Sequence, residues 1–456
     1  MEDEKVEDLY RIINQKLRAH ALINSSSRRI FKVPNHLRQI NEKAYEPQVI
    51  SIGPYHHGKE HLQAMEVQKM NSLKSLLDEG REDKVKMYVI ALAEMEERAR
   101  NFYSEPLDHI RSKEFVEMML LDGCFIIELL FYSTTEKLFT PCILRKVMRD
   151  LLLVENQLPF FVLSKLFLLS RLMQPVVSGQ PVIFEHDIPS MARDFLLTIV
   201  PGLPIIERRC YEDVKHLLGL LHYLSYSSED RPLEVSVRIS EEEEEEEERR
   251  RESIASSNLS AAKVIFPRPS NSTKWQFIRS ATELNEAGVE FQKNEGDLFD
   301  IKFQKGVLSI PTLKIDDHTE SILRNLVAYE QCYAGISSKR FTDYITFMDC
   351  LINTGKDVEL LCRCGVLDNW LGDHKVVATM FNRLRDSVFI SETNFFYTEI
   401  FNRVNKHCNR KRNSWKANLW HNYFNTPWAL ISFIAAVILL LSTLLQTLFS
   451  ILSYHR

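Results

Sequence analysis

The feature that most constrains this chain is an uncharged apolar run over residues 427–452, PWALISFIAAVILLLSTLLQTLFSIL. A helix of about 20 apolar residues crosses the hydrocarbon core of a bilayer, so this run is long enough to span it with some tilt. The alternative is a helix buried in a soluble core, but such helices rarely lack charge over this length. We therefore predict a single transmembrane anchor over 427–452. The side chains expected to hold it in lipid are Trp428, Leu430, Phe433, Ile438, Leu441, Leu445, Phe449 and Leu452.

The residues that flank this run predict its orientation. Basic side chains are concentrated before it, and only Arg456 follows it. The positive-inside rule then places the large N-terminal part in the cytosol, as in a tail-anchored single-pass protein. The same basic stretch could contact anionic headgroups, so the lipid bilayer is a predicted partner. Glycosylation at Asn271 would instead indicate a reversed topology with an extracellular domain. The basic flank consists of Lys406, Arg410, Lys411, Arg412 and Lys416.

The rest of the 456-residue chain has the composition of a globular protein, with 45% hydrophobic and 26% charged residues. The formal net charge of −5 gives no basic excess, so nucleic acid is not a predicted partner. Only 14 glycines are present, whereas 26 phenylalanines are available for a core. Few glycines disfavour phosphate-binding loops and long Gly-rich sheets. We predict a mainly α fold.

The order of segments predicts one large domain with an insertion. Residues 1–27 form a polar lead-in, and the helical domain covers 28–425. A run of glutamates at 241–248, followed by three arginines, interrupts it. Because like charges repel and bury nothing, we predict a disordered acidic insertion over about 228–273. It acts either as a docking tract or as a tolerated surface loop.

Apolar spacing locates several helices. Residues 115–131 are apolar nearly all round, which predicts a helix buried in the core. Pro159 interrupts the apolar stretch 151–173 and should border a helix. After Gly58 we expect a helix, because apolar residues recur at 67, 70, 73 and 77, at spacings of three and four. Residues 317–320, DHTE, have the spacing of a capping box that opens another helix.

Alternating apolar residues between 289 and 310 predict strands. Val289 and Phe291 alternate with polar neighbours, as do Phe299, Ile301 and Phe303, and then Leu308 and Ile310. The dipeptide at 305–306, Lys-Gly, supplies a turn between the last two runs. We therefore predict a small antiparallel sheet.

Six polar residues lie within or beside the most apolar helices, where a buried charge is costly unless it is paired or hydrogen-bonded. Two buried acids could form an acid/base pair with separated pKa values. Buried carboxylates more often bond helix ends or basic side chains within a fold. We predict that these residues form a structural polar core and that none of them is catalytic. They are Asp122, Glu128, Asp150, Glu155, Asn156 and Gln157.

No motif predicts a metal or cofactor. His57 and His61 have the spacing of a helical metal-binding pair, but Gly58 lies between them and HExxH is absent. We expect these histidines and His56 to make capping or surface hydrogen bonds. Cys362 and Cys364 do not have the spacing of a zinc site. Nucleotide-binding and serine-hydrolase motifs are absent as well.

Eight ordered motifs resemble the plant "domain of unknown function 247" family over about 30–425. The resemblance implies a membrane-associated plant protein that ends in a hydrophobic helix and has no established enzymatic activity. Some grass members are tied to self-incompatibility, which implies a recognition role for part of the family. It assigns no catalytic residues. The motifs are VISIGPYHHG (49–58), LQAMEVQKMNSL (62–73), MLLDGCFIIELL (119–130), DLLLVENQLPFFVL (150–163), ATELNEAGVEF (281–291), LSIPTLKID (308–316), TESILRNLVAYEQC (319–332) and FMDCLINTGKDVELL (347–361).

These observations predict a non-enzymatic interaction or recognition module at a membrane, with a protein partner whose identity the sequence does not give. Two alternatives stay open. The chain could be a membrane-tethered enzyme that uses the buried carboxylates. It could also be a trafficking adaptor that docks through the acidic tract at 241–248.

Overall fold

The fold is seen in a computed structural model. It describes residues 30–77, 82–131, 139–172, 187–200, 202–203, 214–226, 276–333, 339–390, 394–409 and 427–454, together with Tyr10, Arg11 and Asn14. Nearly all of the predicted lead-in lies outside these residues. The predicted disordered insertion over 228–273, with its acidic tract, lies outside them entirely.

In the N-terminal half, helices pack around α4. This helix is buried on nearly every side between Phe115 and Leu130, with α2, α3, α6 and α7 against it. The buried helix predicted over 115–131 is confirmed, and α6 begins directly after Pro159 as expected. The helices are α1 (Asn35–Arg38), α2 (Glu66–Leu77), α3 (Glu82–Arg100), α4 (Ser112–Phe131), α5 (Pro141–Asp150), α6 (Phe160–Leu172), α7 (Ile188–Ile199) and α8 (Leu217–Leu224), and 3-10 turns cover Glu42–Ala44 and Glu60–Met65.

The C-terminal half adds helices and short strands. Helix α11 is buried along most of its length, and aromatic side chains from neighbouring segments pack against it; Phe347, for example, contacts both Tyr397 and Phe401. The elements are α9 (Ala281–Glu286), β1 (Glu290–Asn294), β2 (Lys302–Gln304), β3 (Val307–Pro311), β4 (Leu313–Ile315), α10 (Thr319–Cys332), α11 (Arg340–Leu351), α12 (Gly355–Arg363), β5 (Leu367–Asn369), α13 (His374–Leu384), α14 (Thr398–Cys408) and α15 (Pro427–Tyr454). The mainly α fold class is confirmed.

The sheet is small, as predicted, but it is mixed. Strands β2 and β3 are antiparallel and joined through Lys305 and Gly306, both with positive φ, as a two-residue hairpin requires. Strand β1 runs parallel to β3, with Phe291 opposite Leu308. The prediction of a wholly antiparallel sheet is therefore wrong. Alternation identifies strands and their buried faces, but it does not specify the direction of a neighbouring strand.

The capping box predicted over 317–320 is also wrong. Helix α10 begins at Thr319, and the side chain of the preceding His318 makes no cap hydrogen bond. Asp316 supplies these bonds instead: its Oδ1 accepts from His318 N and from Thr319 Oγ1, both at 3.0 Å. The DHTE spacing fits the pattern, but the side chain that turns back to the backbone lies one residue earlier.

The two halves of the fold meet at α10. Asn325, fully buried on this helix, accepts a hydrogen bond from Val154 N at 2.9 Å. Its Nδ2 donates to Ala44 O at 2.9 Å, and Ser321 Oγ donates to the same carbonyl at 2.6 Å. One helix of the C-terminal half therefore fixes two loops of the N-terminal half.

Residues 48–53 form an extended segment that enters the interior at Ile50 and has no strand partner among the described residues. A buried backbone donor is costly if it has no acceptor, so this segment requires acceptors from elsewhere. Gly53 fixes how closely the segment approaches its surroundings. Its φ is +71°, and a Cβ there would lie 2.6 Å from Gln157 O. The acceptors are side chains of the predicted polar core.

Candidate functional site

Asp150 is the main acceptor of this segment. Its Oδ2 accepts from the backbone N of Gln48, Val49 and Ile50 at 2.9, 2.8 and 3.1 Å. The Arg149 guanidinium donates to Asp150 Oδ1 at 2.8 Å and to Glu46 O at 2.6 Å. Burial raises the pKa of Asp150, while these donors act in the opposite direction. The carboxylate and its neighbouring arginine thus hold the loop that precedes the segment and the start of the segment itself.

Asn156 and Asp122 hold the rest of the segment. Asn156 Oδ1 accepts from Ile52 N at 2.7 Å, and its Nδ2 donates to Ile50 O at 3.1 Å. Asp122, on α4, accepts from Gly53 N at 2.8 Å. Five backbone N–H groups between 48 and 53 are therefore bonded by three side chains.

Asp122 also pairs with a lysine that the sequence reasoning missed. Lys69 Nζ lies 2.6 Å from Asp122 Oδ1, and the two side chains are 0% and 1% exposed. Lys69 also contacts Glu66 Oε1 at 2.6 Å. Burial lowers the pKa of Lys69, but Asp122 and Glu66 outweigh that effect and leave the pKa raised. In the sequence, Lys69 interrupts a set of apolar residues at helical spacing. A charged residue at such a position was the signal that could have identified it as a buried partner.

Gln157 and Glu155 bond other parts of the N-terminal half. Gln157 Oε1 accepts from Leu218 N at 3.1 Å, at the start of α8, and its Nε2 donates to Leu151 O at 2.6 Å. Glu155 Oε1 accepts from Val33 N at 2.6 Å and from the Arg38 guanidinium. Five of the six predicted residues thus bond backbone donors. Glu128 is buried near the end of α4, and no hydrogen bond joins it to the other five within the described chain.

A charged cluster surrounds Glu155 beside the extended segment. Arg38 bridges Glu155 and Glu46, and Lys59 also pairs with Glu46. His56 lies between the two carboxylates, with ring nitrogens 3.6 Å from Glu46 Oε2 and 3.6 Å from Glu155 Oε2. Burial lowers the pKa of His56 to about 3, and the charges of Lys59 and Arg38 add to this. The ring is therefore neutral at physiological pH despite its acidic neighbours.

This neutral ring predicts a pH dependence of stability. An unfolded histidine has a pKa of about 6.5, whereas the folded His56 has one of about 3. Below about pH 6.5 the unfolded state gains a proton that the folded state does not bind, so stability falls as pH falls. Between pH 7.5 and 4.5, we expect the free energy of unfolding of the wild type to fall by about 2–3 kcal/mol more than that of His56→Gln.

Urea unfolding of the two proteins across this pH range measures the difference. The matched control is His109→Gln, at an exposed position. The difference in unfolding free energy between this variant and the wild type should change far less with pH. A wild-type advantage that stays constant or grows as the pH is lowered would contradict a neutral buried His56.

The other histidines and cysteines considered from the sequence do not meet. His57 Nε2 lies 3.6 Å from Glu114, whereas His61 Nε2 contacts Pro47 O at 3.2 Å. Cys362 and Cys364 are free thiols at the end of α12. Within the part of the chain that the structure describes, no group of three or more His, Cys, Asp or Glu could hold a metal ion.

Helix α15 contains the predicted anchor. Every residue in Ile431–Leu448 is exposed, and by length and composition this stretch is able to cross a bilayer. Phe433, Ile438, Leu441 and Leu445 are 53–57% exposed. The side chains of Trp428, Leu430, Phe449 and Leu452 are not among those described. Of the basic flank, Lys406 lies in α14, whereas Arg410, Lys411, Arg412 and Lys416 lie outside the described residues.

An apolar groove between α2, α3 and α4 was not predicted. The helix predicted from the spacing of Val67, Met70, Leu73 and Leu77 is α2, but Val67 and Met70 are 68% and 50% exposed. Leu73 is buried, and Lys69 and Ser72 take the inward positions. Met70, Leu73 and Leu77 line a groove of about 730 Å³, and Val67 lies outside its lining. The lining includes Met70, Leu73, Leu77, Val89, Val116 and Leu120.

The sequence profile of a family of plant proteins of unknown function, the domain of unknown function 247, matches residues 30–442. The chain belongs to this family. The matched region includes the polar core, the groove and the first sixteen residues of α15.

Two similar proteins come from Arabidopsis thaliana, a UPF0481 protein and a putative UPF0481 protein. One is 31% identical over 446 residues, which is 93% of this chain and 86% of the relative. The other is 26% identical over 488 residues, or 92% and 90% of the two chains. No solved structure matches the chain. The domain of unknown function 247 thus gives the chain a family, but not a molecular activity.

Proposed function

We propose that this protein is a single-pass, membrane-anchored plant protein whose helical body recognises a partner protein. The observation that carries the anchor is α15, in which the whole stretch Ile431–Leu448 is apolar and exposed. Side chains this apolar gain free energy by leaving water, yet every residue of this stretch is exposed. A bilayer supplies the required surroundings.

We propose that the helical body faces the cytosol. Basic residues are concentrated between 403 and 416, before α15, whereas residues 453–456 after the apolar run carry one, Arg456. Such an asymmetry keeps the basic side on the cytosolic face. The basic residues also contribute attraction to anionic lipid.

Expression of the full chain with microsomes tests both the anchor and its orientation. A glycosylation acceptor appended after Arg456 should be modified, while the natural acceptor sites at Asn24, Asn258 and Asn271 should not be. Added protease should digest the helical body.

Ile438→Lys together with Leu441→Lys should release the protein from carbonate-washed membranes, because charges at a helix centre oppose insertion. A wild-type protein that leaves the membrane in carbonate would refute the anchor, and a glycan on Asn271 would refute the orientation.

The apolar groove supports the recognition part of this proposal, and its occupant is an amphipathic helix of a partner protein. The wall that α3 provides runs from Val85 to Ala93, which is about 12 Å or two helical turns. Two turns accommodate the i, i+3 or i+4, and i+7 side chains by which a helix binds in a groove. Lys74, Lys113 and Glu117 are the charged residues of the lining, and their net charge of +1 favours an acidic residue on that helix.

Site-specific photo-crosslinking in plant cells tests this surface. A photoreactive residue at Met70 should give a defined crosslinked partner, and the same residue at the exposed Val376, outside the groove, should not. Val89→Asp, at a position 41% exposed, should abolish the Met70 crosslink without unfolding the protein. Crosslinks that are equal at both positions, or that Val89→Asp leaves unchanged, would refute this groove as the binding surface.

The polar core supports a binding protein over an enzyme. Asp122, Asp150 and Glu155 each accept main-chain N–H groups and pair with Lys69, Arg149 or Arg38. A general acid or base requires reach to a substrate proton, whereas these oxygens hold the fold's own backbone. We therefore propose a structural role for the carboxylates.

A further inference from the structure

A second concave site lies where the two halves of the fold meet. A cavity of about 360 Å³ is formed by residues from α5, the end of α7, strand β4 and the start of α10. This volume falls in the range of small-molecule sites, which extends from about 300 to 1,000 Å³. Most of the lining is apolar. The apolar residues include Ile199, Val200, Leu298, Leu313, Ile322 and Leu326.

Basic side chains surround this apolar floor. Arg145 on α5 is exposed, and in the described part of the chain no ion pair is formed by it. Lys314 on β4 lies 3.8 Å from the ring centroid of Trp370, a contact that leaves its charge without a carboxylate. His318 contributes a buried Nδ1 with no hydrogen-bond partner. Arg145, Lys314 and His318 therefore line one cavity from two halves of the fold. Arg149 also lines it, but its guanidinium is paired with Asp150.

The single acid in the lining, Asp316, offsets only one of the two permanent charges of Arg145 and Lys314, so a net positive charge remains. Asp316 Oδ1 accepts from His318 N and Thr319 Oγ1, both at 3.0 Å, so it is engaged at the start of α10. The N-terminus of this 14-residue helix adds a partial positive charge beside the cavity. An anion is therefore the charge type that this lining favours.

We propose that this cavity binds a small amphipathic anion, with its apolar body against the floor and its carboxylate or other anionic head between Arg145 and Lys314. A cationic ligand would be repelled by the net positive charge of the lining. A small inorganic anion would leave the apolar floor uncovered. A neutral apolar ligand would leave the basic side chains partly desolvated without a partner, which costs free energy. Only a ligand with both an apolar body and an anionic head matches both the apolar floor and the basic side chains.

This inference is independent of the membrane orientation and of the groove, since Arg145 and Lys314 belong to neither. Calorimetric titration of the full chain in lipid nanodiscs, with empty nanodiscs as the blank, measures binding of 2-naphthoate. The matched probe is 2-naphthamide, which has the same ring body without the charge. We expect saturable 1:1 binding of 2-naphthoate and at least tenfold weaker binding of 2-naphthamide.

The variant Arg145→Gln with Lys314→Gln should weaken 2-naphthoate binding at least tenfold. Arg111→Gln, at a position 91% exposed and outside the cavity, should leave it unchanged. Because Arg145 is exposed and neither charge is paired, the double variant is expected to fold, and its urea unfolding midpoint checks this. Absence of saturable binding, equal binding of the two probes, or insensitivity to the double variant would each overturn the proposal.

Discussion

Replacing Lys69 by Met is expected to destabilise the fold by about 3–5 kcal/mol. Lys69 and Asp122 are both almost fully buried, and their charged atoms are 2.6 Å apart. The variant retains the carboxylate in the interior and removes the cation that compensates it. A buried charge without a partner is far more costly than a buried pair, because neither water nor protein solvates it.

The double variant Lys69→Met with Asp122→Asn should recover much of this loss. The amide oxygen of Asn can still accept from Gly53 N, and no net charge is left buried. Lys74→Met, at an exposed position on the same helix, is the control and should change stability by less than about 1 kcal/mol. Urea unfolding of the full chain in detergent micelles gives the midpoints. If Lys69→Met is no more destabilising than Lys74→Met, Lys69 does not compensate the buried charge of Asp122.

Replacing Asp150 by Asn is expected to lower the free energy of unfolding by about 3 kcal/mol or more. Both carboxylate oxygens accept hydrogen bonds, from Gln48, Val49, Ile50 and Arg149. An amide offers one oxygen and one NH₂ group. In either orientation its NH₂ group therefore faces a backbone N–H or the Arg149 guanidinium instead of an acceptor. The charge opposite the buried Arg149 is also lost.

The exposed Asp108→Asn provides the matched control for this change. Hydrogen exchange adds local information, because amide protection at Gln48, Val49 and Ile50 should fall in Asp150→Asn before the helices around α4 are affected. Unchanged protection at these three amides would refute the role of Asp150 as their acceptor, whatever the effect on the unfolding midpoint.

The polar core explains how the helical body holds an extended segment in its interior. Hydrophobic burial does not specify direction, but a carboxylate that accepts several N–H groups fixes a segment in one register. The core therefore gives the N-terminal half a unique arrangement, and α10 links it to the C-terminal half. The cavity proposed for an amphipathic anion lies at this junction, so its basic side chains are positioned by contacts between the halves.

The proposed anchor and the proposed binding groove would act together. A body held at a bilayer meets partners in the same membrane at a raised effective concentration. The modest apolar area of the groove then suffices for binding that would be weak between proteins free in solution.

The sequence allowed good prediction wherever the controlling interactions are local. The apolar run over 115–131 gave a buried helix, and Pro159 gave a helix start, because side-chain periodicity and the missing proline N–H act within a few residues. The Lys-Gly turn was found for the same reason, since positive φ at 305 and 306 is a local requirement. Strand β1 was placed, but its parallel pairing with β3 depends on the path of the chain between them.

For the candidate site, the residue types alone indicated a buried polar core but not its partners. Asp150 lies about a hundred residues from the backbone it holds, and Asp122 lies 53 positions from Lys69. Arg145 and Lys314 reach one cavity from different halves of the fold. No local pattern records such distances.

By itself the sequence determined the mainly α fold class, the plant family and the apolar helix over 427–452, since all of these follow from patterns within short windows or from ordered motifs. The tertiary structure alone decided that Lys69 points inward while Val67 and Met70 point to water, because packing of α2 against α4 sets the rotation of the helix. It also decided which donors the buried carboxylates hold. Those choices minimise the unsatisfied polar groups of the whole interior, a condition that no single segment can meet alone.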